Sequence, residues 1–149
     1  MVGFSSIFAQ EEEPTKREKM FREVQEFKMK YLAKEMDLNE SQKKQFFELY
    51  EEMSKSKQEC YKEAMELDRN LKHNKNATEE DYQKATEALN KANSEWTEID
   101  KQYNEKFADF LTPKQIYKMK EGENSFKAKL DEMKHNRKRD HHKKPDEKK

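Results

Sequence analysis

Apolar side chains recur along this chain at helical spacing, in stripes that repeat every seven residues. The first stripe lies between residues 40 and 72 and consists of Phe46, Met53, Cys60 and Leu67, with Tyr50, Lys57, Ala64 and Leu71 at the interleaved positions. The second lies between residues 82 and 110 and consists of Tyr82, Leu89, Trp96, Tyr103 and Phe110, with Ala85, Ala92 and Ile99 interleaved. A seven-residue repeat with 3–4 spacing is typical of helices that wind about each other. Two long, paired helices are therefore predicted.

Capping signals divide the chain into four helices. A first helix is predicted over Thr15–Met36, after a proline. Asn39 and Thr78 each precede a glutamine or an acid by three positions, which is the pattern of a capping box. Thr112 has the same pattern and is followed by Pro113, a residue favoured at the first helical position. We therefore expect helices to begin just after residues 39, 78 and 112.

The short linker His73–Ala77 predicts that the second and third helices form an antiparallel hairpin. The fold class predicted is all-α, a long antiparallel helical hairpin flanked by two shorter helices. Gly122, near the middle of the fourth helix, is a position where that helix can bend. Such a fold has one narrow core, and elongated bundles gain further burial by pairing with a second copy. An elongated homodimer is therefore expected.

The composition excludes several classes of protein. The chain has 149 residues, of which 43% are charged and 32% hydrophobic, and it contains two glycines. Glycine-rich phosphate loops and dinucleotide-binding turns need several closely spaced glycines, so no cofactor of that kind is expected. The formal net charge is zero, which does not favour nucleic-acid binding. No run approaches the ~20 apolar residues of a membrane span.

The two ends of the chain differ from its middle. Residues 1–10 are apolar and uncharged and precede three glutamates, which is typical of the last part of a secretory signal peptide with Ala9 at the cleavage position. Residues 11–134 hold the four predicted helices. Residues 135–149 are basic and lack large apolar side chains, so a disordered tail is predicted there.

Few residues are candidates for chemistry. No serine, histidine or cysteine lies in a nucleophile motif, so the chain is not predicted to be an enzyme. Cys60 lies on the apolar stripe of the second helix and is interpreted as a buried structural thiol. His73, His135, His141 and His142 lack the spacing of a helical zinc site, so no metal site is predicted.

Five aromatic side chains fall outside the main stripes. They are Phe21, Phe47, Tyr61, Phe107 and Tyr117. One interpretation is that they add core between helices or between subunits. The other is that they stay exposed beside charged residues and bind unfolded or flexible partners. We take them as candidate client-binding residues.

Two helix-start motifs carry a family resemblance. Leu111-Thr112-Pro113-Lys114-Gln115 is an L-T-x-x-Q motif, and Leu38-Asn39-Glu40-Ser41-Gln42 matches it with asparagine in place of threonine. Asparagine is an equally good N-cap. Two such motifs in an all-helical chain resemble the Spy/CpxP (LTxxQ-motif) family. The residues carried over are helix caps rather than a binding site: Leu38, Asn39, Gln42, Leu111, Thr112 and Gln115.

The resemblance implies a small periplasmic stress-response protein that dimerises into a curved cradle. Its members act as ATP-independent chaperones (holdases) on unfolded or misfolded envelope proteins, or as adaptors that dampen an envelope-stress sensor kinase. The alternative within the same superfamily is a periplasmic metal-binding or metal-resistance sensor. The chain departs from the family in its neutral net charge and in lacking clustered histidines on its first helices.

Overall fold

The computed structural model describes residues 13–142, with side chains up to residue 140. It contains four helices, α1 (Lys16–Glu35), α2 (Glu40–His73), α3 (Glu79–Ala108) and α4 (Pro113–His142), and no strand in this part of the chain. The all-α prediction is confirmed. Nowhere in residues 13–142 is a helix apolar enough to cross a bilayer. The predicted signal-peptide remnant, residues 1–10, lies outside the described residues.

The helices begin at the predicted caps. Asn39 and Thr78 each accept a hydrogen bond from the backbone N–H three residues on, and the side chain of that residue accepts one from the cap backbone. Thr112 makes the same reciprocal pair, at 3.2 and 3.0 Å. Thr15 forms a fourth such box that begins α1. Each box satisfies backbone donors that an isolated helix terminus leaves unpaired.

The predicted hairpin is formed by α2 and α3. The ring of Phe46 lies 5.8 Å from that of Phe107, near one end of the pair. Towards the other end, the Tyr61 hydroxyl donates a hydrogen bond to Asn93 Oδ1. Residue numbers therefore rise along α2 as they fall along α3, which makes the two helices antiparallel.

The first and fourth helices pack against each other and against one end of the hairpin. The ring of Phe27 lies 5.7 Å from that of Phe126, which joins α1 to α4. The side-chain amide of Gln25 donates a hydrogen bond to the Ser54 hydroxyl, which joins α1 to α2. All four helices therefore meet at the end of the molecule that carries the α1–α2 and α3–α4 turns.

Gly122 has a packing role in α4, which continues through it as one helix. A β-carbon added at Gly122 would lie 2.8 Å from Cδ2 of Leu32, closer than van der Waals contact allows. Leu32 is fully buried in the core. The glycine therefore lets α1 and α4 approach closely.

The fourth helix is longer than the sequence predicts. It continues to His142, past residue 135, where sequence analysis placed the start of a disordered tail. Its 30 residues equal those of α3, so only α1 is shorter than both hairpin helices. Lysine and arginine are good helix formers, so a solvated basic segment can extend a helix without burying apolar area. Residues 143–149 lie outside the described residues.

The core lies where the four helices meet, in a region that we call the base (residues 28–57 and 99–123). Its buried cluster consists of Leu32, Ala33, Met36, Leu38, Phe46, Tyr50, Met53, Tyr103, Phe107, Leu111 and Met119. Tilted contacts between rings of α2 and α3 run through it. Offset and tilted aromatic pairs are favourable beyond the area they bury, so this cluster fixes the register of the hairpin.

The remainder of the hairpin, which we call the arm (residues 58–98), consists of two helices only. Ala64 and Ala92 are its buried apolar side chains among the described residues. Tyr82, Leu89 and Trp96, predicted to lie on the seam of α3, are 40–51% exposed. The predicted seam is therefore core only at its base end, because in the arm α2 alone covers it.

The turn between α1 and α2 is a Schellman motif. The N–H of Leu38 donates to the carbonyl of Ala33 and the N–H of Asp37 to that of Lys34, both at 3.1 Å. Asp37 adopts the left-handed conformation that this motif requires, with φ of 52°. The turn thereby buries Leu38 against the core directly before α2 begins.

Candidate functional site

The two L-T-x-x-Q-like motifs meet at the base. The side-chain amide of Gln42 donates to Oε1 of Gln115 at 3.0 Å, and the amide of Gln115 donates to Oε1 of Gln42 at 3.1 Å. Gln42 also donates to the carbonyl of Phe110 at 3.2 Å. The leucines that precede the two caps, Leu38 and Leu111, are both buried. The motifs therefore form one hydrogen-bonded unit that ties the start of α2 to the start of α4.

A polar junction, made of Lys57, Trp96, Asp100 and Lys120, lies where the base meets the arm. Nζ of Lys57 lies 2.7 Å from Oδ1 of Asp100, and Nζ of Lys120 lies 3.2 Å from both Asp100 oxygens. The ammonium of Lys57 also lies 4.5 Å from the centre of the Trp96 ring. Lys57 is only 6% exposed although it occupies an apolar stripe. The ion pair and the cation–π contact explain how this charge is accommodated.

The junction sets the protonation of Asp100. Desolvation would raise the pKa of this carboxyl, but the hydrogen bond and charge of Lys57, followed by Lys120, hold it below its usual value. Nearby, burial raises the pKa of the Tyr50 phenol far above its usual value, and Glu123 raises it further. The carboxylate is therefore charged and the phenol neutral at pH 7. Both states suit a structural cluster.

Cys60 is half-buried at the junction end of the arm. Its thiol donates to the carbonyl of Lys57, with the sulfur 3.0 Å from the oxygen. Desolvation, followed by the charge of Glu95, raises the pKa of this thiol. Since the thiolate is the nucleophilic form, the raised pKa makes Cys60 a poor nucleophile at neutral pH. The sequence predicted a buried thiol, but Cys60 is only half-buried because in the arm only α2 and α3 cover it.

Metal ligands do not converge in the described part of the chain. Within residues 13–140, no three histidine, cysteine, aspartate or glutamate side chains lie close enough together to hold an ion. His73 is exposed near the hairpin turn and His135 is exposed on α4. The side chains of His141 and His142 lie outside the described residues.

One of the five candidate client-binding aromatics was assigned wrongly. Phe107 is fully buried, and its ring lies within 6.4 Å of the rings of Phe46 and Tyr50. It lies off the seven-residue stripe that the sequence predicts for α3, but in the structure its ring faces α2 and the core of the base. Phe107 is therefore a core residue.

The other four candidates differ in exposure. Phe47 is half-buried against the core, and Tyr61 is half-buried with its ring edge-on to Trp96 at 5.3 Å. Phe21 and Tyr117 are 44% and 67% exposed. These last two are accessible to a partner, whereas Phe47 and Tyr61 offer only part of their rings.

Two exposed apolar patches contain the candidate Phe21 together with other large apolar residues that were not predicted to bind clients. The first, the arm patch, consists of Met65, Tyr82, Leu89 and Trp96. The second, the outer patch, consists of Met20, Phe21, Phe27 and Met133 at the free end of the α1–α4 pair. Leu32 lies against Gly122, and Phe27 lies against Phe126, so α1 and α4 are antiparallel. The same register, continued towards the free end of the pair, places Met133 opposite Met20. For the arm patch the sequence signal is that only two predicted helices cover the stripe of α3.

Exposed charges of both signs surround the outer patch. Arg17, Glu18, Arg22 and Glu23 are all exposed on the same two turns of α1 as Met20. Residues 134–140 are exposed on α4. An apolar surface rimmed by polar residues is typical of interaction sites in soluble proteins.

Comparison with known proteins identified no relative. No protein-family model matches the sequence, and no curated protein or solved structure matches it at the significance that we required. The resemblance to the Spy/CpxP family therefore rests on the two motifs and on the all-helical fold.

Proposed function

We propose that the protein is a periplasmic, ATP-independent chaperone of the Spy/CpxP type, a holdase that binds unfolded or misfolded envelope proteins. The observation that carries this proposal is the exposure of nine large apolar side chains, 39–67% each, among the described residues. They fall mainly into the arm patch and the outer patch. The outer patch is of the kind that an unfolded chain, with its own apolar side chains exposed, can cover.

Energetics support a use for these surfaces. Burying a large apolar side chain fully stabilises a protein by roughly 1.5–3 kcal/mol, so several half-exposed ones forgo much of that gain. Clients would be captured early by the charges around the outer patch and held by Phe21, Phe27 and the neighbouring methionines. Methionine is flexible and polarisable, which suits a surface that accepts many sequences.

The arm patch is the surface proposed to bind a second copy. Tyr82, Leu89 and Trp96 are spaced seven residues apart, so they form one stripe along α3. Such a stripe packs against another helix in a coiled coil. In the proposed dimer the arm patch is covered and the outer patch stays open to clients.

Two variants separate these roles. We expect Phe21→Ser to reduce suppression of the aggregation of an unfolded client without added nucleotide, while the melting temperature and the dimer are unchanged. Leu89→Ser should instead shift sedimentation towards the monomer. If Phe21→Ser instead dissociated the dimer and Leu89→Ser reduced only the suppression of aggregation, the assignment of the two patches would be contradicted.

The wild-type protein tests the proposal itself. Suppression of client aggregation at stoichiometric ratios, without nucleotide, supports the holdase. No suppression, combined with tight stoichiometric zinc binding in calorimetry, would favour the metal-sensor alternative. No suppression together with binding to the periplasmic domain of a sensor kinase would favour the adaptor.

A further inference from the structure

A preformed groove lies on the base, and Lys30 on its rim is one turn from Phe27 of the outer patch. It has a volume of about 520 Å³ and is formed by the last turns of α1, the α1–α2 turn and the start of α2. That volume is within the range of small-molecule and peptide side-chain sites. Ala33, Leu38 and Phe47 supply its apolar lining.

The apolar floor of the groove is held rigidly. Ala33 and Leu38 are buried members of the core, and the Schellman hydrogen bond between their backbones fixes the turn. Phe47 packs at 6.0 Å against the ring of Phe46, which is itself fully buried. A ligand would therefore meet a surface already in shape, which reduces the entropy lost on binding.

The rim of the groove is positively charged. Lys30, Lys34 and Lys43 line it together with one acid, Asp37, so the lining carries a net charge of +2. Lys43 is paired with Glu40 at 3.1 Å. Lys30 and Lys34 form no ion pair among the described residues. A groove with this charge favours an anionic ligand.

Lys30 and Lys34 are both placed where the charge suits the helix. Lys34 lies in the last turn of α1, where a positive charge interacts favourably with the helix dipole. Lys30 lies one turn earlier and four residues after Glu26, an order of charges that favours the helix and offsets the repulsion between Lys30 and Lys34. Two exposed lysines beside an apolar floor also fit a ligand that combines negative charge with an apolar group.

We propose that this groove binds acidic peptide segments in which an aromatic or large aliphatic side chain adjoins carboxylates. The apolar side chain packs on Phe47 and Leu38, and the carboxylates pair with Lys30 and Lys34. This inference rests on the proposed function and names the class of client segment that the chaperone selects. A protein with zero formal net charge acquires a preference for acidic clients through one local surface.

The test is fluorescence anisotropy with a fluorescein-labelled peptide, Glu-Phe-Glu-Glu-Leu-Glu. We expect the double variant Lys30→Gln/Lys34→Gln to weaken its binding about fivefold to tenfold at low ionic strength, and less at high ionic strength, where salt screens the charges. The matched control is Lys62→Gln/Lys75→Gln, which removes the same charge from exposed sites on the arm side of the hairpin and at its turn. The control should bind as the wild type does.

Two further peptides identify what is recognised. Replacing the glutamates with lysines, or the two apolar residues with serines, should each abolish most of the binding. Equal binding of the peptide by wild type and by the Lys30/Lys34 variant would overturn the proposal. Binding to phosphatidylglycerol vesicles but not to the peptide would also overturn it, in favour of a membrane surface.

The outcome separates this inference from the proposed function. If the wild type suppresses client aggregation while the Lys30/Lys34 variant binds the acidic peptide normally, the groove assignment fails and the chaperone stands. If the wild type binds the peptide through these lysines but suppresses no aggregation, the groove stands and the chaperone proposal fails.

Discussion

The base and the arm are built from the same two helices, yet they bury their apolar stripes to very different degrees. At the base, Phe46 and Phe107 are fully buried because α1 and α4 pack beside the hairpin. In the arm, Leu89 and Trp96 continue the stripe of α3 but remain 47% and 40% exposed. The number of covering helices, rather than the sequence of the stripe, decides which apolar residues become core.

Most polar contacts between helices lie at the base, although Tyr61 and Asn93 form one in the arm. At the base polar side chains are tied to partners on other helices, as Gln42 is to Gln115 and Lys57 to Asp100. In the arm, ion pairs such as Lys72–Asp68 lie within one helix and are exposed. Polar contacts between helices fix how the helices are arranged relative to each other. Exposed ion pairs within one helix contribute little stability. The base is therefore the rigid part, and the arm offers surface.

The largest difference is expected for core truncation. Phe107→Ala, at the base, should lower the free energy of unfolding by about 3–5 kcal/mol because it leaves a cavity in the core. Leu89→Ala, in the arm, should lower it by about 1 kcal/mol or less, since half of the side chain is already in water. Denaturant unfolding of both variants measures this. Equal losses would contradict the division into base and arm.

Protein concentration sharpens the same comparison. If a second copy covers the arm patch, the loss caused by Leu89→Ala should grow as the protein concentration rises through the dimerisation range. The loss of stability caused by Phe107→Ala arises from a cavity within one chain, so it should not grow with protein concentration in the same way. Unfolding curves at several concentrations therefore test whether the arm patch is an interface.

The second prediction compares two aspartates. Asp100→Asn leaves the buried Lys57 without its charged partner and should destabilise the protein by about 1–3 kcal/mol. Asp68→Asn removes an exposed pair in the arm and should change the stability by less than about 0.5 kcal/mol. Urea unfolding at pH 7 measures both. A larger effect for Asp68 would contradict the structural role of the junction.

The pH dependence of this difference has a defined sign. The folded pKa of Asp100 lies below the unfolded value, so its stabilisation is present above the unfolded pKa of about 3.9 and is lost as the pH falls through the lower folded pKa. The stability gap between wild type and Asp100→Asn should therefore be widest at neutral pH. It should narrow below about pH 4. A gap that widens on acidification would contradict this account.

The third prediction concerns the close approach of α1 and α4. Gly122→Ala improves helix propensity by about 1 kcal/mol but forces a β-carbon against Leu32, and overpacking of this kind costs about 1–3 kcal/mol. We expect a net loss of about 1 kcal/mol. The control Ser125→Ala, at an exposed position of the same helix, should be neutral or stabilising. Combining Gly122→Ala with Leu32→Val should recover part of the loss.

The smallest difference is expected at the helix caps. Thr112→Ala should destabilise the protein by about 0.5–2 kcal/mol, and Thr78→Ala, at the hairpin turn, by less within that range. The reason is that the box of Thr112 is joined to that of Asn39 through the two glutamines. A double-mutant cycle of Gln42→Ala and Gln115→Ala should give a coupling of about 0.5 kcal/mol or more. Zero coupling would mean that the two boxes act independently.

The sequence was sufficient to predict the four helices and the residues at which they begin. Capping signals are local, so Asn39, Thr78 and Thr112 could be assigned without knowing the fold. The hairpin followed from the short linker and the two seven-residue repeats. The end of α4 was predicted too early. The absence of large apolar residues after Met133 indicates where packing against other helices ends, but a solvated helix can continue without such packing.

The functional surface could be predicted only in part. A stripe in the sequence does not reveal how many helices cover it, so Phe107 was assigned to the surface while Leu89 and Trp96 were assigned to a seam. The contact between Gln42 and Gln115 depends on both turns meeting at the base, and no local pattern encodes it. The groove beside Phe47 likewise depends on lysines from two helices.

Hydrogen–deuterium exchange with and without an unfolded client tests the central claim most directly. The account predicts that client binding slows exchange in residues 16–30 of α1 and 124–136 of α4, which carry the outer patch, and in the lysine-lined turn between α1 and α2 when the client is acidic. Amides of the core helices around Phe46 and Phe107 should keep their protection unchanged. Client-induced protection confined to those core segments, or absent everywhere, would contradict the account.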